Sequence, residues 1–264
     1  MRGARFAWLW AVLAAGLCAP AGAGDAPSPP EEAPGPREID PADAAAARRH
    51  MVAQVALHAR LTAELTGRPE LDAAVLDAML RVPRHAFVRP ELARYAYLDV
   101  ALPAGNGLRE SQPFLVALMT DLVAPPRDGD VLILGIGGGY HAAVASALVG
   151  RVFCLDLDAE AAAVAMARLA PLDHGKVETR IADPYYGWPE SDRRFDAIIV
   201  RLAVDEVPAI LLSQLKPGGR LVAPVGPSDA EQRLTLFTKD ADGRITRRPV
   251  LPVRFMRLPG GRRI

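Results

Sequence analysis

The chain has 264 residues, half of them apolar, which is enough to bury one good core with room for a small accessory region. Its 31 basic and 31 acidic residues cancel, so nothing in the composition suggests the one-signed surface expected of a protein that docks on nucleic acid or an anionic membrane. No internal repeat is visible.

At the N-terminus, Arg2 and Arg5 precede an apolar run from Phe6 to about Cys18, followed by small residues ending in Ala21-Gly22-Ala23. This is the pattern of a secretory signal with an A-x-A cleavage site, over 1–23. The run is shorter than the ~20 residues that a transmembrane helix needs. Leu17 is bulky where a lipoprotein signal would place a small residue before Cys18. Cleavage after Ala23 removes Arg2, Arg5 and Cys18, leaving 29 basic against 31 acidic residues, a net of −2, and no second cysteine for a disulfide. Cys154, inside an apolar strand, reads as a small buried hydrophobe. Residues 24–40, rich in proline and acids, read as an extended linker.

From Pro41 the pattern becomes helical, with Met51, Val55, Leu57, Leu61 and Leu65 at three-to-four spacing and a second helix over Glu70 to Leu80. Pro83 interrupts it. Ser111 is placed to cap a helix with Pro113 in its first turn and Leu115, Leu118, Met119 and Leu122 on its buried face. Strands are then expected near 130–134, 151–155, 177–181, 195–200 and 219–224, with helices near 140–149, 158–169 and 206–215. Such alternation predicts an α/β fold, a doubly wound and mainly parallel sheet with helices on both faces. In the tail, LTLFT and RPVLPVRFMRL flank Asp242-Gly243, the mark of a hairpin closing one sheet edge with an antiparallel pair. The expected organisation is an N-terminal helical region over 41–125, a cofactor-binding core over 126–226 and a C-terminal hairpin over 227–264.

The chemistry concentrates in DVLILGIGGGYHAAVASALVGRVFCLD, from Asp130 to Asp156. Gly135, Gly137 and Gly139 allow a sharp turn that a ligand can approach closely. Asp156 follows the first glycine by about 20 residues, the position from which a carboxylate grips a ribose diol. The combination points to an adenosine-containing cofactor.

The segments VPRHAFV (82–88), AYLDVALPAGNG (96–107), SQPFLVALMTDL (111–122), GIGGGYHAAV (135–144), YGWPE (186–190), FDAIIV (195–200), LLSQLKPGGRLVAPVG (211–226) and LPVRFMRL (251–258) together resemble the protein-L-isoaspartate (D-aspartate) O-methyltransferases, in that family's order and over nearly everything after residue 50. The resemblance implies a Rossmann-like class I methyltransferase that uses S-adenosylmethionine to methylate the damaged aspartyl carboxylate of proteins. It implies that Gly135, Gly137 and Gly139 wrap the methionine end of the cofactor, that Asp156 binds the ribose hydroxyls, and that Asp183 reaches the adenine amine. Ser111 matches the serine that lines the acceptor site, with Gln112 beside it. Tyr140, which opens the motif helix, reads as a packing residue. The methyl group of a sulfonium is already activated and a carboxylate is already anionic. Positioning and water exclusion are then the main requirements, in keeping with His85, His141 and His174 showing no nucleophile-base pattern. No Cys/His spacing suggests a metal.

Several positions depart from the family. Ile133-Leu134 replaces the Glu-Ile before the first glycine, and losing such a contact to the cofactor's amino group would cost ~1.5–3 kcal/mol. Ile136 and Gly138 replace hydroxyl residues; Leu108, Arg109 and Glu110 replace Gln, Thr and Ile; Arg201-Leu202 replaces the threonine segment after the fourth strand; and Ala182-Asp183-Pro184 replaces Gly-Asp-Gly. Arg201, at a strand's carboxyl end, is expected either to bind a substrate carboxylate or to fill the cleft and pair with Glu110 or Asp205; Arg109 is a second candidate for substrate. The transferase reading requires the hollow above the strand tips at Leu134 and Asp156 to be clear of the Arg201 guanidinium and of isoleucine side chains. Two alternatives stand beside it: an inactive exported relative that binds peptides or protein termini, and a methyltransferase with another acceptor. The expected protein is a monomer acting on proteins or peptides, with neither nucleic acid nor membrane span in the mature chain. The signal predicts export, to a periplasm where S-adenosylmethionine must be supplied; a start codon further along would restore the family's cytoplasmic location.

Overall fold

A computed structural model describes residues 41–105, 108–173, 175–227 and 230–258. The signal and linker expected over 1–40, and His174, lie outside the described residues.

The chain begins with helices α1 (Pro41–Leu61), α2 (Ala63–Thr66) and α3 (Ala73–Arg81). The expected stripe on α1 divides. Met51 and Val55 are buried together with Val52 and Ala59, whereas Leu57 and Leu61, and Leu65 on α2, are exposed. Ala59, not Leu57, completes the face because positions four apart stack on a helix. Two 3-10 turns (Arg84–Phe87 and Pro90–Tyr95) lead to a small hairpin, β1 (Leu102–Gly105) and β2 (Leu108–Glu110). Helix α4 (Pro113–Val123) follows, packed between α1 and the main sheet. It is buried almost all round, which its nearly unbroken apolar sequence requires.

The main sheet contains β3 (Asp130–Leu134), β4 (Arg151–Asp156), β5 (Val177–Ile181), β6 (Phe195–Val200), β7 (Leu215–Val225), β8 (Gln232–Lys239) and β9 (Ile245–Val253). Their order is β5-β4-β3-β6-β7-β8-β9, parallel through β7 and antiparallel for β7–β8 and β8–β9. Between the strands run α5 (Tyr140–Ser146), α6 (Ala159–Asp173) and α7 (Ala209–Ser213). Asp242 and Gly243 turn the final hairpin, and Gly243 has φ +84°. The doubly wound sheet with an antiparallel edge is as the sequence predicts.

Alternation along the parallel strands builds a core on each face. Val131, Ile133, Val152, Cys154, Ala197 and Ile199 join α1, α4 and α5 on one side. Leu132, Leu134, Phe153, Leu155, Ile198 and Val200 meet Trp188, Phe195 and Leu211 on the other. β7 starts earlier than its apolar run indicates: Leu215 pairs with Phe195 and Arg220 with Ala197, so the Lys216-Pro217-Gly218-Gly219 segment bulges out of the ladder, where a proline is tolerated.

Candidate active site

The neighbours of β3 are β4 on one side and β6 on the other, and the chain reaches them by connections that diverge from one sheet position. In open α/β sheets that divergence leaves a crevice outside the carboxyl ends of the strands. The glycine turn, Asp156 and Arg201 all lie there.

Gly135, Gly137 and Gly139 adopt φ of +86°, +57° and +101°, conformations that side chains with a Cβ rarely take. Asp156, buried at the tip of β4, accepts from the amide of Ile136 (2.8 Å) through Oδ2 and from the amide of Asp158 (3.1 Å) through Oδ1. The acid thus ties the glycine turn to its own strand and keeps lone pairs for a further donor such as a hydroxyl. Asp183 caps the 3-10 turn Pro184–Tyr186 by accepting from the Tyr185 amide at 2.9 Å. The Ile136 side chain is buried in the core.

Arg201 behaves differently. Its side chain, 3% exposed, folds back over the glycine turn. Nη1 donates to the carbonyls of Gly135 (2.8 Å) and Ile136 (2.6 Å), while Nη2 donates to Glu110 Oε1 (2.9 Å) and Ser111 Oγ (3.3 Å). A Cβ on Gly137 would lie 2.6 Å from Nη1, so this glycine makes room for the guanidinium. Glu110, fully buried, completes the pair by accepting from the Gly138 amide at 2.8 Å through Oε2. Of the two arrangements the sequence allows, the structure shows pairing with Glu110; Asp205 pairs with Arg257 instead, at 2.7 Å. The sequence reading required a hollow clear of the guanidinium; in the structure its glycine end instead holds Arg201.

Two residues missing from the sequence reading hold this arrangement. Asp99 accepts from the Phe114 amide (2.8 Å), from Gln112 Nε2 (3.1 Å), and lies 2.9 Å from His58 Nδ1. The cap of α4 thus comes from Asp99. Ser111 is not the N-cap: Gln112 occupies that position without a side-chain cap of its own. Arg84, fully buried, donates to the carbonyls of Val100 (3.0 Å) and Ser111 (2.9 Å), clamping the loop that leads to the serine. A buried arginine inside the apolar VPRHAFV segment was the available signal, because burying a guanidinium demands partners. Arg109 alternates to the other side of β2 from Glu110 and is exposed, its Nη2 3.4 Å from the Ala101 carbonyl.

The histidines show other roles. His141 is fully buried behind the turn, with Nε2 3.0 Å from Thr120 Oγ, and burial followed by the nearby Arg201 charge holds its pKa well below the usual range. His85 Nδ1 lies 2.6 Å from the Tyr97 hydroxyl, its pKa lowered by burial and then by Arg48. Tyr140 packs on Phe87 (5.9 Å between centroids), and burial pushes its phenol pKa up.

A doubly wound sheet, a glycine turn after its first parallel strand and a carboxylate at the tip of the next define a nucleoside-cofactor protein of the class I methyltransferase type. The similarity to known proteins is more specific. The family model described as protein-L-isoaspartate(D-aspartate) O-methyltransferase (PCMT) matches residues 58–263, and the chain belongs to this family. It is 43% identical over 216 residues to protein-L-isoaspartate O-methyltransferase 2 of Syntrophobacter fumaroxidans, covering 82% of this chain and 87% of that one. It is 41% identical over 227 residues to protein-L-isoaspartate O-methyltransferase 1 of Cupriavidus necator, covering 85% and 87%. A solved protein-L-isoaspartate O-methyltransferase superposes with TM-score 0.70 at 29% identity, over 81% of this chain and 66% of that one. A Plasmodium falciparum family structure in complex with S-adenosyl-L-homocysteine shares the fold, with TM-score 0.66 at 19% identity over 81% and 97% of the two chains.

Proposed function

We propose that the protein transfers the methyl group of S-adenosylmethionine to the carboxylate of L-isoaspartyl and D-aspartyl residues in damaged proteins. The observation that carries this reading is Asp156, fixed at the strand tip and tied to the glycine turn, in a chain that matches the family over residues 58–263. The cofactor supplies an electrophilic methyl group. Asp156 would hold its ribose hydroxyls and Asp183 its adenine amine, while Gly135, Gly137 and Gly139 give its methionine end a turn without side chains. At the glycine end Arg201 must leave the carbonyls that it now occupies.

On the acceptor side Ser111 presents its hydroxyl beside Arg201, with its carbonyl held by Arg84. That hydroxyl can donate to a carboxylate oxygen while Arg201 neutralises it, and Gln112 lies on the adjoining Asp99 network. Neither step needs a general base, because the acceptor is already an anion. Full-length protein incubated with an isoaspartyl peptide and methyl-labelled S-adenosylmethionine is expected to yield a base-labile labelled ester, and the matching aspartyl peptide none. Label on neither peptide from a folded sample would refute the reading.

Among the described residues no helix is long and apolar enough to cross a membrane. We also propose that the chain is exported through segment 1–23, with 24–40 as linker, and that it acts as a monomer without binding nucleic acid; the arginines and the A-x-A site before residue 24 and the balanced charge support this.

A further inference from the structure

Arg201 touches both halves of the proposed site at once. One nitrogen sits on the carbonyls of Gly135 and Ile136, the other reaches Glu110 and Ser111. Inward-facing backbone carbonyls are acceptors for a cation, and the methionine end of the donor carries one, an ammonium with the same sign and the same kind of hydrogen. The guanidinium and that ammonium cannot share the space, because Nη1 lies 2.6 Å from where even a Gly137 Cβ would stand. The other end of the same guanidinium contacts the serine that faces the acceptor. Arg201 Nε is buried with no hydrogen-bond partner among the described residues, so the side chain is incompletely satisfied where it sits.

Resting on the donor and acceptor reading above, we propose that Arg201 is a residue with two positions that couples the two substrates. On the glycine carbonyls, braced by Glu110, it competes with the donor's ammonium. On the acceptor's carboxylate, beside Ser111, it frees those carbonyls. A ligand for the less populated arrangement binds with an affinity reduced by the fraction of molecules in that arrangement. Occupation of the acceptor site then tightens donor binding, and by linkage the donor tightens acceptor binding by the same factor. Ser111 Oγ and Arg201 Nη2 are 3.3 Å apart, so a carboxylate bound at the serine meets the arginine after a small side-chain rotation.

The test is calorimetric titration of the full-length protein with S-adenosylhomocysteine, with and without excess isoaspartyl peptide. Wild type is expected to bind about tenfold more weakly than Arg201→Ala, and saturating peptide is expected to tighten wild type while leaving Arg201→Ala unchanged. Glu110→Gln/Arg201→Ala, which removes the charge that the single variant strands, is expected to behave like Arg201→Ala. Wild-type affinity that ignores the peptide overturns the proposal without need of any variant, and so does Arg201→Ala binding no tighter than wild type; both results leave the donor site itself standing. No binding by any of these proteins, with cooperative melting showing them folded, overturns the donor-site reading together with the proposal.

Discussion

The tips of β4 and β6 flank the same glycine turn and hold it in opposite ways. At β4, Asp156 accepts from the turn's Ile136 amide and keeps capacity for a ligand. At β6, Arg201 donates to the turn's Gly135 and Ile136 carbonyls and fills the space over Gly137. Both are buried charges, but Asp156 is satisfied by backbone alone whereas Arg201 depends on a second buried charge, Glu110. One tip is a fixed support and the other is an interaction that can be exchanged.

The largest effect is expected from stranding one member of the Arg201–Glu110 pair. Arg201→Ala leaves the Glu110 carboxylate buried without its partner, a loss of about 3–5 kcal/mol expected in urea unfolding. Glu110→Gln/Arg201→Ala is expected to recover most of it. If the single variant unfolds like wild type, the pair contributes nothing and β6 is not the exchangeable tip.

The next effect falls on β4. Asp156→Ala removes the tie to Ile136 and the proposed contact to the ribose, and is expected to weaken S-adenosylhomocysteine binding by roughly ten- to a hundredfold, ~1.5–3 kcal/mol. Unchanged affinity would show that the carboxylate is only a brace for the turn. A smaller change of about 1 kcal/mol in stability is expected from Asp99→Ala, which uncaps α4 and releases Gln112, with a rise in KM for peptide as the functional sign.

The pH dependence reports on the wall behind Arg201. His141 is held neutral by burial, so its folded pKa lies below the unfolded value of about 6.5. Below that pH the unfolded chain binds the extra proton, and stability falls with decreasing pH by up to about 1.4 kcal/mol per unit until the folded pKa is reached; above it this contribution is fully present. His141→Gln is expected to flatten the slope between about pH 6.5 and 5 in chemical unfolding.

The fold was legible because its signals are local. Buried parallel strands such as Asp130–Leu134 and Phe195–Val200 read as short apolar runs, and Asp242-Gly243 marks its own hairpin. Asp156 could be read from spacing to Gly135 because strand, turn, helix and strand have nearly fixed lengths. The remainder of the site depends on contacts between distant segments. Asp99 caps a helix that starts fourteen positions later (99 to 113), although Ser111 has the better local sequence for it. The leucines of α1 share a rough periodicity, yet only packing decides that Ala59 faces the core and Leu57 solvent. The sequence shows that a long cation stands after β6; whether it extends to substrate or folds onto Gly137 is decided by Glu110, 91 residues earlier.

A crystal structure of the full-length protein with S-adenosylhomocysteine bound would show directly which tip holds the nucleoside. The ribose is expected on Asp156, with the Asp156 contact to the Ile136 amide preserved and the Arg201 guanidinium withdrawn from the Gly135 and Ile136 carbonyls. A bound nucleoside with Arg201 still on both carbonyls, or one seated away from Asp156, would contradict that expectation.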